Sequence, residues 1–137
     1  MIVDTTVFID LFRDYSPAKQ FLISTSEPLK VSRVVLMELI RGLTSRKGIK
    51  ILLRQMEALG TEVLEINDGI SKVAGELFED YYHAHGLGIM DALVAATAKV
   101  YGEKLATHNT KHFKFITGID LLMPYRVTAS KSLFKEE

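Results

Sequence analysis

Short runs of β-branched and apolar residues alternate along this chain with longer stretches whose apolar positions recur at helical spacing. Ile2-Val3 reads as the end of a buried strand, and Val7, Phe8, Ile9, Leu11 and Phe12 crowd together as a buried helix does. That places Asp4 at a strand-to-helix junction. Ser16-Pro17 reads as an N-cap followed by proline at the first position of a second helix reaching Ile23. A short strand is expected over 28–31. Ser32 then caps a helix over 33–43 whose apolar Val34, Val35, Leu36, Met37, Leu39, Ile40 and Leu43 predict burial on most sides. Arg46, Lys47 and Gly48 read as a connection to an amphipathic helix over 49–59, which Gly60 ends.

Residues 62–66 alternate as a strand does, and Asn67 or Asp68 can cap a long helix over 70–83. A break at 85–88 precedes a helix over 89–100 rich in Ala, Leu and Val, with Gly102 as its stop. A brief strand over 105–107, a loop over 108–111 and an edge strand over 119–122 follow, closed by Pro124. Residues 126–137 read as a polar tail with Leu133 and Phe134 as anchors. Strands alternating with helices imply a parallel sheet covered on both faces. The expected fold is a three-layer α/β/α sandwich with a short central parallel sheet, one domain over 1–125.

Composition narrows the chemistry. With 137 residues the chain can bury a real core, and 47% apolar with 25% charged residues is ordinary for a globular protein. Its 17 basic and 17 acidic residues cancel, so it does not grip nucleic acid by bulk charge, although local basic patches remain open. The absence of cysteine excludes disulfides, thiolate chemistry and Cys-type zinc sites. The N-terminus lacks the basic region of a signal peptide, and no apolar run approaches membrane-spanning length. A soluble, cytoplasmic protein is expected.

Three acids stand out. Asp4 follows a strand, Glu38 interrupts an apolar helix, and Asp91 stands among apolar residues at a helix start. Each has an ordinary explanation: a helix cap, an ion pair with Arg41 one turn on, an acid favoured by the helix dipole. Together they are less ordinary. Three carboxylates gathered in one pocket raise one another's pKa, and a hard divalent cation with oxygen ligands relieves that.

Four segments carry a resemblance. They are Asp4-Thr5-Thr6, Met37-Glu38-Leu39-Ile40-Arg41-Gly42, the run from Ile89-Met90-Asp91 to Ala98, and Thr107-His108-Asn109-Thr110-Lys111-His112-Phe113. In that order the chain resembles the PIN-domain ribonucleases, and most of all VapC-type toxins of toxin–antitoxin pairs, from Met1 to about Tyr125. The resemblance implies metal-dependent RNA hydrolysis leaving 5′-phosphate and 3′-hydroxyl ends. It carries the family's acids onto Asp4, Glu38 and Asp91, holding Mg²⁺ or Mn²⁺, and its usual hydroxyl onto Thr6, with Thr5 adjacent. In the fourth motif many relatives are acidic at the place of Asn109 or of His112; neither is acidic here, which puts a preformed two-metal site in doubt. Catalytic roles are expected for Asp4, Glu38, Asp91 and Asn109. Substrate contacts are expected from Thr6, Arg41, His108 and Lys111, with Arg13, Lys99 and Lys114 as further basic residues near RNA. The implied partners are the RNA, a small antitoxin contacting the apolar Val7, Phe8, Leu11, Phe12, Phe21 and Leu22, and a second copy of the chain in a homodimer.

Other readings rank lower. His108 and His112 have a spacing that suits zinc on a helix, but they flank a loop with no third ligand; His112 is expected to pack beside Phe113. His83, His85, Tyr81, Tyr82, Phe113 and Phe115 read as structural. A haloacid-dehalogenase-type phosphotransferase would need a second acid where Thr6 stands, and a receiver domain would need paired acids at the first strand end. A catalytically idle PIN domain serving as an RNA- or protein-binding module is the alternative function.

Overall fold

The structure, a computed structural model, describes residues 1–126. The chain enters through β1 (Ile2–Val3), α1 (Thr5–Phe12), α2 (Ser16–Ser24), β2 (Lys30–Ser32), α3 (Arg33–Arg41) and α4 (Arg46–Ala58). It continues through β3 (Glu62–Leu64), α5 (Asp68–His85), α6 (Ile89–Tyr101), β4 (Leu105–Ala106), a 3₁₀ turn (Thr110–His112) and β5 (Leu121–Leu122). The strands form a five-stranded sheet in the order β3-β2-β1-β4-β5, and every pairing is parallel. Ile2 and Val3 point to opposite faces of the sheet, yet both are fully buried, as are Leu105 and Ala106. Both faces are therefore covered, as an all-parallel sheet requires. This is the expected three-layer α/β architecture.

The strand order fixes where chemistry can sit. From β1 the chain moves one way to β2 and β3, then returns to the other side of β1 for β4 and β5. The order reverses at the carboxyl end of β1, and that is where open α/β sheets leave a crevice. Asp4 lies at that end, its N–H donating to Ala106 O at 3.0 Å. Beneath it Val7, Phe8, Val35, Ala95 and Phe113 are almost wholly buried.

Several boundaries differ from expectation, each for a local reason. Residues 46–48 are the first turn of α4 rather than a connection, because the Ser45 hydroxyl caps the helix by accepting from Gly48 N at 3.1 Å. The second helix is capped at Tyr15, without a side-chain bond, and Ser16 is already helical. The third helix ends at Arg41, and Met37 is 60% exposed. Val34, Val35, Leu36 and Leu39 fill its inner face, and Met37 cannot share that face at 100° per residue. Asn67 is the cap of α5, its side chain accepting from Ile70 N at 2.9 Å. Gly60 and Gly102 follow helix ends at φ of 68° and 61°, a left-handed conformation in which a Cβ is costly. Both helices stop where the glycines predict.

The apolar surface expected on the first two helices is mostly core. Val7, Phe8 and Leu22 are buried, and Leu11, Phe12 and Phe21 are partly buried against them. What these helices expose is Ile23, beside a groove shared with α4 and lined by Leu11, Asp14, Lys19, Gln55, Ala58 and Leu59. Of the expected tail only Arg126 falls within the described residues; Leu133 and Phe134 lie outside them.

Candidate active site

Asp4 is the most constrained carboxylate at the sheet's crevice. It is 7% exposed and caps α1, its Oδ1 accepting from Thr5 N at 2.8 Å. Its Oδ2 accepts from the hydroxyl of Thr107, the residue after β4, at 2.7 Å. Asp4 is thus the helix cap that the sequence allows, and its second oxygen is held as well. A short strand aims the carboxylate, and two donors fix its plane while leaving lone pairs on each oxygen.

Glu38 projects from α3 towards it. The Thr5 hydroxyl donates to Glu38 Oε1 across a long 3.5 Å. Burial raises the pKa of Glu38, the charge of Asp4 raises it further, and Asp91 adds to it; Arg41 and the Thr5 hydroxyl pull the other way without prevailing. Arg41 acts here through its field, since no ion pair within 4 Å joins it to Glu38 among the described residues. Asp91, in the first turn of α6, is half-buried, and burial raises its pKa as well. His112 opposes that shift, while Asp4 adds to it. The charge of Asp4 is therefore felt at both Glu38 and Asp91, and that of Asp91 at Glu38.

They do not close on one another. Among the described residues no group of three His, Cys, Asp or Glu side chains is close enough to hold a metal ion. The expected cluster is an open arrangement. Its chemistry nevertheless fits a hard divalent cation: the donors are carboxylate oxygens, their charge is raised in energy by burial and mutual repulsion, and Arg41 and His112 compensate it only in part. The Thr6 hydroxyl is buried with no hydrogen-bond partner. A water or oxyanion at the site is the kind of partner that would complete it.

The remaining expected residues fall in different places. Thr5, rather than Thr6, has the hydroxyl that reaches an acid. Asn109 caps the 3₁₀ turn, and its backbone N–H donates to the Thr107 hydroxyl at 3.0 Å. His112 does not pack beside Phe113 as expected. It is exposed, with Nδ1 3.4 Å from Asp91 Oδ2, because the 3₁₀ turn buries Phe113 and leaves His112 facing α6. His108 turns towards the C-terminal segment, its Nδ1 3.2 Å from Met123 Sδ and its ring edge-on to Tyr125. Arg41, one turn after Glu38 in sequence, and Lys111, next to His112, are exposed; Arg13, Lys99 and Lys114 are exposed too and form no ion pair with the acids among the described residues. The Cε of Lys99 lies close to Gly118.

Two pairings were missed from the sequence. Thr107 opens the fourth of the family-like segments, yet no role is given to it until the sheet register sets β4 beside β1. Tyr125 donates to the buried Asp10 across 115 positions, and burial with that bond pushes the Tyr125 phenol well above its ordinary value. Neither pairing has a local pattern to read.

With this geometry in place, comparison with known proteins gives a consistent result. A family model described as PIN domain matches residues 1–117. Ribonuclease VapC19 of Mycobacterium tuberculosis is 31% identical over 130 residues, covering 90% of this chain and 98% of the relative. Ribonuclease VapC10 of the same organism is 34% identical over 119 residues, covering 82% and 85%. Among solved structures, a chain of a toxin-antitoxin complex from Klebsiella pneumoniae superposes with a TM-score of 0.73 at 29% identity, covering 92% of this chain and 98% of that one.

Proposed function

This chain belongs to the PIN-domain family, and on that premise we propose that it is a metal-dependent endoribonuclease, the toxin of a toxin–antitoxin pair acting in the cytoplasm. The observation that carries the reading is Asp4: a buried carboxylate at the sheet's switch point, held by two donors, whose charge reaches Glu38 and Asp91 across the crevice.

Asp4 and Asp91 would hold Mg²⁺ or Mn²⁺, with Glu38 bound directly or through water. When bound, the ion supplies Lewis-acid polarisation of the scissile phosphate and a more acidic water. The chain's own residues do the rest. Glu38, with its affinity for a proton increased, orients the attacking water and accepts a proton from it. The water oxygen attacks phosphorus in line with the 3′ oxygen, the P–O3′ bond breaks, and the leaving oxygen takes a proton from solvent. One water is consumed, leaving a 5′-phosphate and a 3′-hydroxyl. Asn109 offers an amide to the substrate or the ion's shell. Arg41 and Lys111 supply positive charge to the RNA backbone, and Thr6 a buried hydroxyl donor. His108, packed edge-on against Tyr125, borders the substrate groove.

Two apolar surfaces suit the expected protein partners. The groove between α1, α2 and α4, with Ile23 62% exposed at its rim, fits an apolar antitoxin segment. The face carrying Met37, Ile66, Ile89 and Met90, all exposed, fits a second copy of the chain. The alternative reading, an idle PIN domain that only binds, draws on one feature: His112 stands against Asp91 where many relatives are acidic. Cleavage of total RNA with and without Mn²⁺, beside Asp4→Asn and Asp91→Asn variants whose folding is checked by circular dichroism, separates the two. The nuclease reading expects metal-dependent cleavage with 5′-phosphate ends, reduced about 10²-fold or more in each variant. Metal binding without cleavage of any RNA would favour the binding module.

A further inference from the structure

We propose that Thr107 is a positioning residue that sets the carboxylate plane of Asp4 and locks the loop after β4 in register with it; the inference rests on the nuclease reading above. The Thr107 side chain is fully buried, where a hydroxyl is retained only at the cost of satisfying it. It is satisfied twice, by the two groups the site needs held. Its Oγ1 donates to Asp4 Oδ2 at 2.7 Å and accepts from the Asn109 N–H at 3.0 Å. Its own N–H donates to Leu122 O at 3.1 Å, so the backbone beneath the hydroxyl is fixed by the β4–β5 ladder.

The geometry makes this more than packing. With Thr5 N on Oδ1 and Thr107 Oγ1 on Oδ2, the Asp4 carboxylate cannot rotate about its Cβ–Cγ bond without losing a bond in a buried place. The same hydroxyl anchors the first residue of the turn that delivers His112 to Asp91, 3.4 Å away. One oxygen thus couples the acid of β1 to the turn facing the acid of α6. A hydroxyl is required for this, because valine has the same shape and can neither donate nor accept.

Thr107→Val and Thr107→Ser test the role, with thermal melts confirming that each is folded. In the metal-free protein, Thr107→Val should speed amide exchange at Asn109 by about tenfold or more, and Thr107→Ser should restore most of the protection. By titration calorimetry with Mn²⁺ alone, Thr107→Val should bind about 10-fold or more weakly, and Thr107→Ser within about threefold of wild type. Where RNA is cleaved, the valine loss should fall on kcat rather than KM. Wild-type Mn²⁺ affinity in folded Thr107→Val overturns the positioning role and leaves the nuclease reading standing. Equal losses in the serine and valine variants also overturn it, since packing would then explain both. A wild-type protein that binds no Mn²⁺ overturns the nuclease reading, and the role of Thr107 in it.

Discussion

Glu38 is half-buried on α3, and both its burial and the charge of Asp4 make its ionised form unfavourable. A carboxyl whose folded pKa lies above its unfolded value binds its proton more tightly when folded. Its contribution to stability is therefore present below the unfolded pKa, about 4.3, and is lost as pH rises through the raised folded value. Glu38→Gln removes that penalty. It is expected to raise the melting temperature at pH 7 by roughly a few degrees, with the gain vanishing near pH 4, while cleavage falls about 10²-fold. Melting curves of both proteins across pH check this; a lower melting temperature for Glu38→Gln at pH 7 would mean that the carboxylate is a structural partner. At this scale the sequence was informative wherever a residue broke a local pattern. Asp4 after two β-branched residues and Glu38 among valines and leucines are visible as anomalies. Thr107 and the orientation of His112 break no pattern, because their meaning comes from partners brought close by the sheet and the 3₁₀ turn.

Among the elements, α1 does the most to place the site, since its first residue, Thr5, donates to both Asp4 and Glu38 and its inner face seals the core below. Phe8 is fully buried there, with its ring stacked on Phe12 at 6.4 Å between centroids. Phe8→Ala should cost about 3–5 kcal/mol of unfolding free energy by denaturant titration, and weaken metal binding only as far as the fold is lost. A cost below about 1 kcal/mol would mean that α1 is not anchored as described. Element types were readable because period and caps agree: Ser32, Asn67, Gly60 and Gly102 all act where they stand. Boundaries failed where one cap outweighed composition, as at Ser45, whose hydroxyl begins α4 over a charged Arg-Lys-Gly run that reads as a loop.

For the whole molecule, the sheet order was not in the sequence, since alternation of strands and helices is compatible with several orders. Its consequence is where the surfaces fall: acids at the carboxyl end of β1, a groove between α1, α2 and α4, and a mainly apolar face along α3, α5 and α6 that Glu38 and Arg41 border. No helix of the described residues is long and apolar enough to cross a membrane. If the second face joins two copies, Ile89→Asp should convert a dimer to a monomer in sedimentation velocity without unfolding. Ile89 is 65% exposed and opens α6, where an acid is compatible with the helix dipole. An unchanged sedimentation coefficient would remove that face from the dimer interface.

Titration calorimetry with Mn²⁺ tests most directly whether Asp4, Glu38 and Asp91 share one divalent cation. Wild type should bind, and folded Asp4→Asn and Asp91→Asn should each bind at least about tenfold more weakly. Absence of binding to wild type, or equal binding to all three proteins, would contradict it.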